Sequence, residues 1–480
     1  MKYKWTVLTV TTVGVLMSGI DSRIVIVGLP QVAAALNADA EQAIWFTQAY
    51  ALGSTIALLL IGRITDMVGR VRVYNIGFAV FTLGSALTSL ATGPEMVIVF
   101  RGVQGLGSAM LFTNSIALIA DSTPSGELGL SLGINQLAFR FGAMAGLTIS
   151  GIILAILDWR ALFYINVPIG IFGTVWAHRR LKETAQVERG APFDWIGFIT
   201  FTTFIASFLF SLTYAAYGFA EEGTVLLLGA IAVVSLIVFV SYERRYKYPL
   251  LDLKLLRIRE FTGGVVAQLL NAIAWGAVIL LLSLYFQLVQ GLSPFDAGIR
   301  ILPFEMAFLL FGPLSGRFSD KYGPMPFATT GLGVMSVSLL LLATTTPTSS
   351  YTELVAYMAL MGAGIGLFSS PNISSIMGSV PPQRRGIASA FRATFFNVGF
   401  TVSLNLAILI MATIIPYTVV SSLISSANPV GISVLDRDLF SAALDRTYLW
   451  MAALNTLAIF PSLLRGKRIG RGVSGDSTAE

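Results

Sequence analysis

Gly62-Arg63-Ile64-Thr65-Asp66-Met67-Val68-Gly69 recurs 254 residues later as Gly316-Arg317-Phe318-Ser319-Asp320-Lys321-Tyr322-Gly323. A second match pairs Ala138-Phe139-Arg140 with Ala390-Phe391-Arg392 at an offset of 252. Two independent matches at nearly one offset point to an internal duplication. The simplest parse is two six-helix halves, 1–180 and 255–470. A linker at 181–254 carries two inserted helices, and a tail follows at 471–480. Each copy of the longer stretch lies between apolar runs and reads as a short charged loop joining two helices.

The surrounding composition fits that reading. Of 480 residues, 55% are hydrophobic and 12% are Asp, Glu, Lys or Arg, against about 25% charged in an ordinary soluble domain. Mean hydropathy is +0.78. A membrane helix needs about 20 mostly apolar residues. Fourteen spans are placed on that basis: 6–28, 44–62, 73–92, 96–119, 129–157, 161–177, 195–216, 224–241, 261–287, 298–316, 325–343, 353–372, 386–414 and 447–464. The first span follows Met1-Lys2-Tyr3-Lys4 and looks like a signal sequence. It is longer than one and holds Asp21 and Arg23, so it reads as a retained helix. The longest loop, 415–446, carries Pro416, Asn428, Pro429 and Gly431, faces outward and reads as a structured cap or a flexible loop.

Charge supports the count. With a cytoplasmic N-terminus, 23 of the 31 Lys and Arg fall in inward segments and four in outward ones. That asymmetry is the positive-inside pattern of a multi-pass protein with both termini in the cytoplasm. The net charge of +6 is therefore topogenic, and no nucleic-acid partner is expected. No Cys and a single His, His178, exclude disulfide scaffolds, thiol nucleophiles, zinc clusters and a His-based triad. There is no GxxxxGK[ST] phosphate loop, which argues against a self-contained ATP-driven pump. No catalytic residue, metal, cofactor or obligate protein partner is expected. Repeated halves with a site between them near the midplane are a recurring transporter design, whereas a membrane-embedded enzyme has no need of the duplication.

The loop 62–72, Gly62 through Arg70 and Arg72, resembles the motif between helices two and three of the major facilitator superfamily. Arg101-Gly-Val-Gln104-Gly-Leu-Gly107 looks like its helix-four motif. Ile20-Asp21-Ser22-Arg23 through Gly28-Leu29-Pro30 looks like the first-helix motif of the fourteen-helix drug/proton antiporter branch. Asp158-Trp159-Arg160, Phe163 through Gly170 and Tyr285 through Gly298 are similar to the same branch. Gly146 through Gly151 stands where its helix-five antiporter motif belongs, without the Pro and one Gly. The resemblance implies an all-α membrane protein with two pseudo-symmetric six-helix bundles and two inserted helices. It implies proton-coupled efflux of small, amphipathic compounds across the cell membrane by alternating access. The implied partners are a small-molecule substrate, protons and the bilayer.

In that fold the loop cluster Gly62, Asp66, Gly69, Arg70 and Arg72 latches the outward-facing state, with Asp66 accepting from helix N-termini or from Arg70 or Arg72. Asp320 serves the second half similarly. Charges inside spans are costly and mark function. Six stand here: Asp21, Arg23, Arg101, Arg140, Glu305 and Arg392. Asp21 is the first choice for proton coupling, with Arg101 as its partner; a static salt bridge is the bland alternative. Glu305, after Pro303, is a second proton or cation candidate. Arg23 reads as a snorkel at the outer interface. Arg140 and Arg392 occupy repeat-equivalent positions in cavity-lining helices. They either bind an anionic group of a substrate or hold the halves in register. Asn135, Gln136, Asn397 and Asn405 are candidate polar contacts, and Trp275, which aligns with Asp21, is a candidate stacking surface. An organic-anion transporter working by symport or uniport is the competing reading, carried by the Arg140/Arg392 pair and the incomplete helix-five motif.

Overall fold

A computed structural model of the chain describes residues 3–124, 128–183, 193–218, 220–247, 249–251, 253–380, 385–415 and 434–465. Inside a bilayer, backbone N–H and C=O groups find no water, so each segment must satisfy its own. The described residues accordingly form helices: α1 (Tyr3–Ala35), α2 (Ala40–Val68), α3 (Arg70–Ser89), α4 (Pro94–Ser122), α5 (Leu128–Ile156), α6 (Ala161–Tyr164), α7 (Asn166–Arg180), α8 (Trp195–Tyr217), α9 (Glu222–Glu243), α10 (Arg259–Trp275), α11 (Val278–Leu284), α12 (Pro294–Tyr322), α13 (Pro324–Leu342), α14 (Tyr351–Gly378), α15 (Arg385–Met411), α16 (Val434–Leu457) and α17 (Ile459–Leu463). A π-helical turn, Tyr285–Val289, prolongs α11.

Among the described residues, thirteen segments are long and apolar enough to cross a membrane. The fourteenth span expected from sequence falls on α16 and α17. Helix α16 begins at Val434, so the supposed loop 415–446 is shorter than read. Asp436, Arg437, Asp438, Asp445 and Arg446 dilute its hydropathy and hide it from a pattern search. The rest of that loop, 416–433, and the tail 471–480 lie outside the described residues.

The two bundles repeat one set of contacts. In the first, α1 packs on α4, α5 and α7, and α4 on α2 and α3. In the second, α10 packs on α14, α15 and α16, and α14 on α12 and α13. The bundles meet along two equivalent seams, α5 with α12 and α2 with α15, while α8 lies over the α2/α15 seam and carries α9 on its outside. Helix α9 is almost wholly unburied and is the most apolar span, as suits a helix facing lipid.

The duplicated loop shows why its last glycine recurs. Gly69 ends α2 and starts α3 at φ 108°, ψ 146°; Gly323 does the same between α12 and α13 at φ 85°, ψ 154°. L side chains avoid that region. Each glycine N–H closes the preceding helix on the carbonyl of an equivalent hydroxyl residue, Thr65 or Ser319. Both turns lie on the face where α1 begins, called here the loop face; the opposite side is the far face.

Candidate functional site

Three separate sequence motifs converge on one carboxylate. Asp21 of α1 is fully buried. Its Oδ2 accepts from Arg101 Nη1 of α4 at 2.7 Å, and its Oδ1 accepts from Gln104 Nε2 at 2.8 Å and from Asn166 Nδ2 of α7 at 3.0 Å. Ser85 Oγ of α3 accepts from Gln104 at 3.0 Å and from Asn166 at 3.2 Å, and donates to the Phe163 carbonyl. Gln104 follows Arg101 by one helical turn, so the two share a face and are joined by an Arg101 Nη1 to Oε1 bond of 2.6 Å. Arg101 also donates from Nε to the Phe46 carbonyl at 3.1 Å, and the Tyr50 ring lies 4.3 Å from its guanidinium carbon. The charges are thus paired and hydrogen-bonded, as buried charges in proteins usually are. Gln104, Asn166 and Ser85 were not singled out from sequence, although Gln104 and Asn166 stand inside the quoted motifs.

Arg101 and Tyr50 form part of the wall of a central cavity of about 250 Å³ between the bundles. The wall also includes Arg23, Arg140, Arg392, Gln136, Asn397 and Trp275, with Phe139, Phe396 and Phe400. Among its described residues there is no Asp or Glu. Trp275 packs against Phe304, Phe396 and Phe400. It stands at a break between α10 and α11 within a single apolar run. There the freed Ala277 N–H donates to Ser403 Oγ of α15 at 2.9 Å. Interrupted helices at binding sites are a device of transporter folds.

Several sequence expectations need correction. Arg23 is not an interface snorkel. It is buried, lines the cavity, and brings Nε to 4.0 Å from Glu305 Oε1 of α12. Two residues along a helix turn it about 200° from Asp21, so Asp21 faces its own bundle and Arg23 the other. Asn135 is not a cavity residue: it faces α4, where its Oδ1 accepts from Ser115 Oγ at 3.0 Å. Asn405 accepts from Thr213 Oγ1 of α8 at 3.2 Å and helps seat the inserted helix. Arg140 stacks on Phe308 of α12, 3.8 Å from the ring centre. Among the described residues neither Arg140 nor Arg392 has an ion-pair partner.

In the loop cluster, Arg70 pairs with Asp121 of α4 and donates to the Ala117 carbonyl at 3.3 Å. The Val71 N–H is taken by Glu183, at 2.9 Å, from beyond α7. The side chains of Asp66 and Asp320 lie outside those described, Arg72 is exposed, and Gly62 lies against Ala390 of α15. Toward the far face the cavity ends where the two bundles share one apolar core, including Leu29, Leu147, Ile279, Leu282, Ile301 and Ile408. There Gly151 lets α5 approach the backbone of Phe295, and Gly298 lets α12 approach the Leu147 carbonyl. The incomplete helix-five motif therefore supplies close packing between the bundles.

Comparison with known proteins agrees with this architecture. Residues 11–404 match the model of the Major Facilitator Superfamily. The chain is 32% identical to the riboflavin transporter RibZ of Clostridioides difficile, over 83% of this chain and 86% of that one. It is 30% identical to the multidrug resistance protein Stp of Mycobacterium tuberculosis, over 82% of this chain and 74% of that one. Its fold is similar to that of the POT family transporter PepTSo, with a TM-score of 0.65 over 97% of this chain and 98% of that one, at 13% identity. The chain belongs to the Major Facilitator Superfamily and is a multi-pass membrane transporter, not an enzyme.

Proposed function

We propose that the protein exports small aromatic compounds bearing anionic or acceptor-rich groups, in exchange for protons, by alternating access. The observation that carries this is the position of Arg101, which holds the buried Asp21 carboxylate on one side and forms cavity wall on the other. Burial disfavours the charged form of a carboxylate, and a touching guanidinium favours it. A change of state that draws Arg101 toward a substrate would alter whether Asp21 holds a proton. Proton and substrate would then occupy the site in alternation, as exchange requires. Aromatic rings beside Arg140, Arg392, Gln136 and Asn397 suit a flat molecule with hydrogen-bond acceptors. Riboflavin, the cargo named for one relative, has that chemistry. The basic loops support an orientation with the loop face and both termini in the cytoplasm, and the proposed location is the cell membrane. In that orientation the structure is closed to the outside. The loop cluster of Gly62, Asp66, Gly69, Arg70 and Arg72, with Asp320 in the second half, would latch the opposite state.

A second reading, organic-anion symport or uniport, is favoured by the carboxylate-free wall and by Arg140 and Arg392 lacking ion-pair partners there. Liposomes holding the protein and an internal pH dye separate the two. Aromatic cations, anions and neutral compounds are added in turn under an imposed pH gradient. Exchange predicts counter-flow of protons with the transported compounds, abolished by Asp21→Asn. Transport that moves no protons, or moves them in the substrate's direction, overturns the proposal in favour of the second reading.

A further inference from the structure

The contact between Arg23 and Glu305 crosses the two bundles and is unlike the Asp21 network. Both residues are buried, yet their closest approach is 4.0 Å. Neither carboxylate oxygen of Glu305, nor Arg23 Nε, makes a hydrogen bond to any described residue. A carboxylate out of water normally collects several donors, as Asp21 does. Glu305 has a guanidinium at arm's length. Arg140 stands within electrostatic range of both residues. Arg23 and Arg140 are cavity wall, whereas Glu305 stands behind it. Each guanidinium also lies over a ring, Arg23 over Phe400 at 5.9 Å and Arg140 over Phe308 at 3.8 Å.

We infer that Glu305 is a resident counter-anion, which neutralises the arginine site of the empty cavity and competes with the anionic group of a substrate. This rests on the acceptor-rich, aromatic cargo proposed above. A loosely held carboxylate is suited to the task. It offsets the charge of Arg23 and Arg140 without occupying the hydrogen-bonding positions that a ligand carboxylate would take bidentately. It belongs to the opposite bundle from the arginines it faces, so rocking of the bundles changes its distance from them. Anion affinity would then differ between the two states. Glu305 sets affinity by this account and touches no substrate.

The test is binding to the purified full-length protein in detergent, by calorimetry, with 2-naphthoate and its neutral analogue 2-naphthylmethanol as probes. Glu305→Gln keeps size and removes charge. It is expected to bind 2-naphthoate about tenfold tighter than the parent, with 2-naphthylmethanol unchanged. Glu305→Asp should stay near the parent. Arg23→Gln should weaken 2-naphthoate binding and shrink the gain from Glu305→Gln when the two are combined. Unchanged or weaker 2-naphthoate binding by Glu305→Gln, equal gains for both probes, or no binding of 2-naphthoate by either protein would overturn the inference. A misfolded variant is recognised by loss of 2-naphthylmethanol binding, and Glu305→Asp against Arg23→Gln then decides: the inference falls unless only the latter weakens 2-naphthoate. None of these outcomes depends on proton movement, so failure here is distinguishable from failure of the exchange reading.

Discussion

Removing either partner of the Asp21–Arg101 contact should destabilise the protein strongly, and removing both should cost clearly less than the sum of the two single changes. Two unit charges about 4 Å apart interact by about 4 kcal/mol at the effective dielectric that describes protein sites, near 20. Stripping one partner from a buried pair typically costs about 3–5 kcal/mol, because the other charge is left uncompensated. In Asp21→Asn, Arg101 keeps the Phe46 carbonyl and Gln104 Oε1 as acceptors. In Arg101→Gln, Asp21 keeps Gln104 and Asn166 as donors, but the contact with the Tyr50 ring is lost. Each single change should therefore cost about 3 kcal/mol, toward the lower end of that range. The double variant should recover about 1.5–3 kcal/mol relative to the sum of the singles. The assay is reversible unfolding in mixed micelles titrated with dodecyl sulfate and followed by circular dichroism. Additivity within about 0.5 kcal/mol would show two independent residues and refute the reasoning.

Other perturbations separate structural from transport roles. Gly69→Ala and Gly323→Ala should each cost about 1–3 kcal/mol, because both backbones lie where a side chain is strained; Gly333→Ala, where an added methyl meets nothing within 4 Å, is the control in the same unfolding assay. Gly151→Leu should prevent closure at the far face by wedging α5 from Phe295. The chain has no cysteine, so Leu280→Cys, on the α11 wall of the central cavity, should become reactive in that background to an impermeant maleimide, while staying slow when Gly151 is intact. Arg140→Gln and Arg392→Gln should each weaken binding of an aromatic carboxylate about tenfold or more, the scale of one lost charge-assisted hydrogen bond. A neutral analogue, measured in the same calorimeter, should change by less than about twofold.

The fold was readable because the duplication and the charge asymmetry are properties of the chain alone. The Asp21 network was partly readable for the same reason: Asp21 and Arg101 are charges inside spans, which the bilayer makes conspicuous. Gln104 and Asn166 are neutral and carry no such signal by themselves. Adjacent residues differ by about 100° around a helix, so Asn135 and Gln136 were equally good candidates until the neighbouring helices were in place. Arg23 was misread because its partner, Glu305, comes from the other half of the chain, and nothing near Arg23 announces it. The break after Trp275 was hidden in an unbroken apolar run, since the hydroxyl that satisfies Ala277 belongs to Ser403, over a hundred residues away. Helix α16 was shortened by its own charges.

The central claim is that Asp21 couples protons to cargo, and accumulation against a gradient tests it most directly. A transported aromatic compound is followed to steady state in proteoliposomes under a fixed proton gradient, for the parent and for Asp21→Asn. The parent should concentrate the compound several-fold on the more acidic side, as exchange for protons dictates. Asp21→Asn should still let it cross but settle at equal concentrations. Continued accumulation by Asp21→Asn would place the coupling elsewhere and contradict the account.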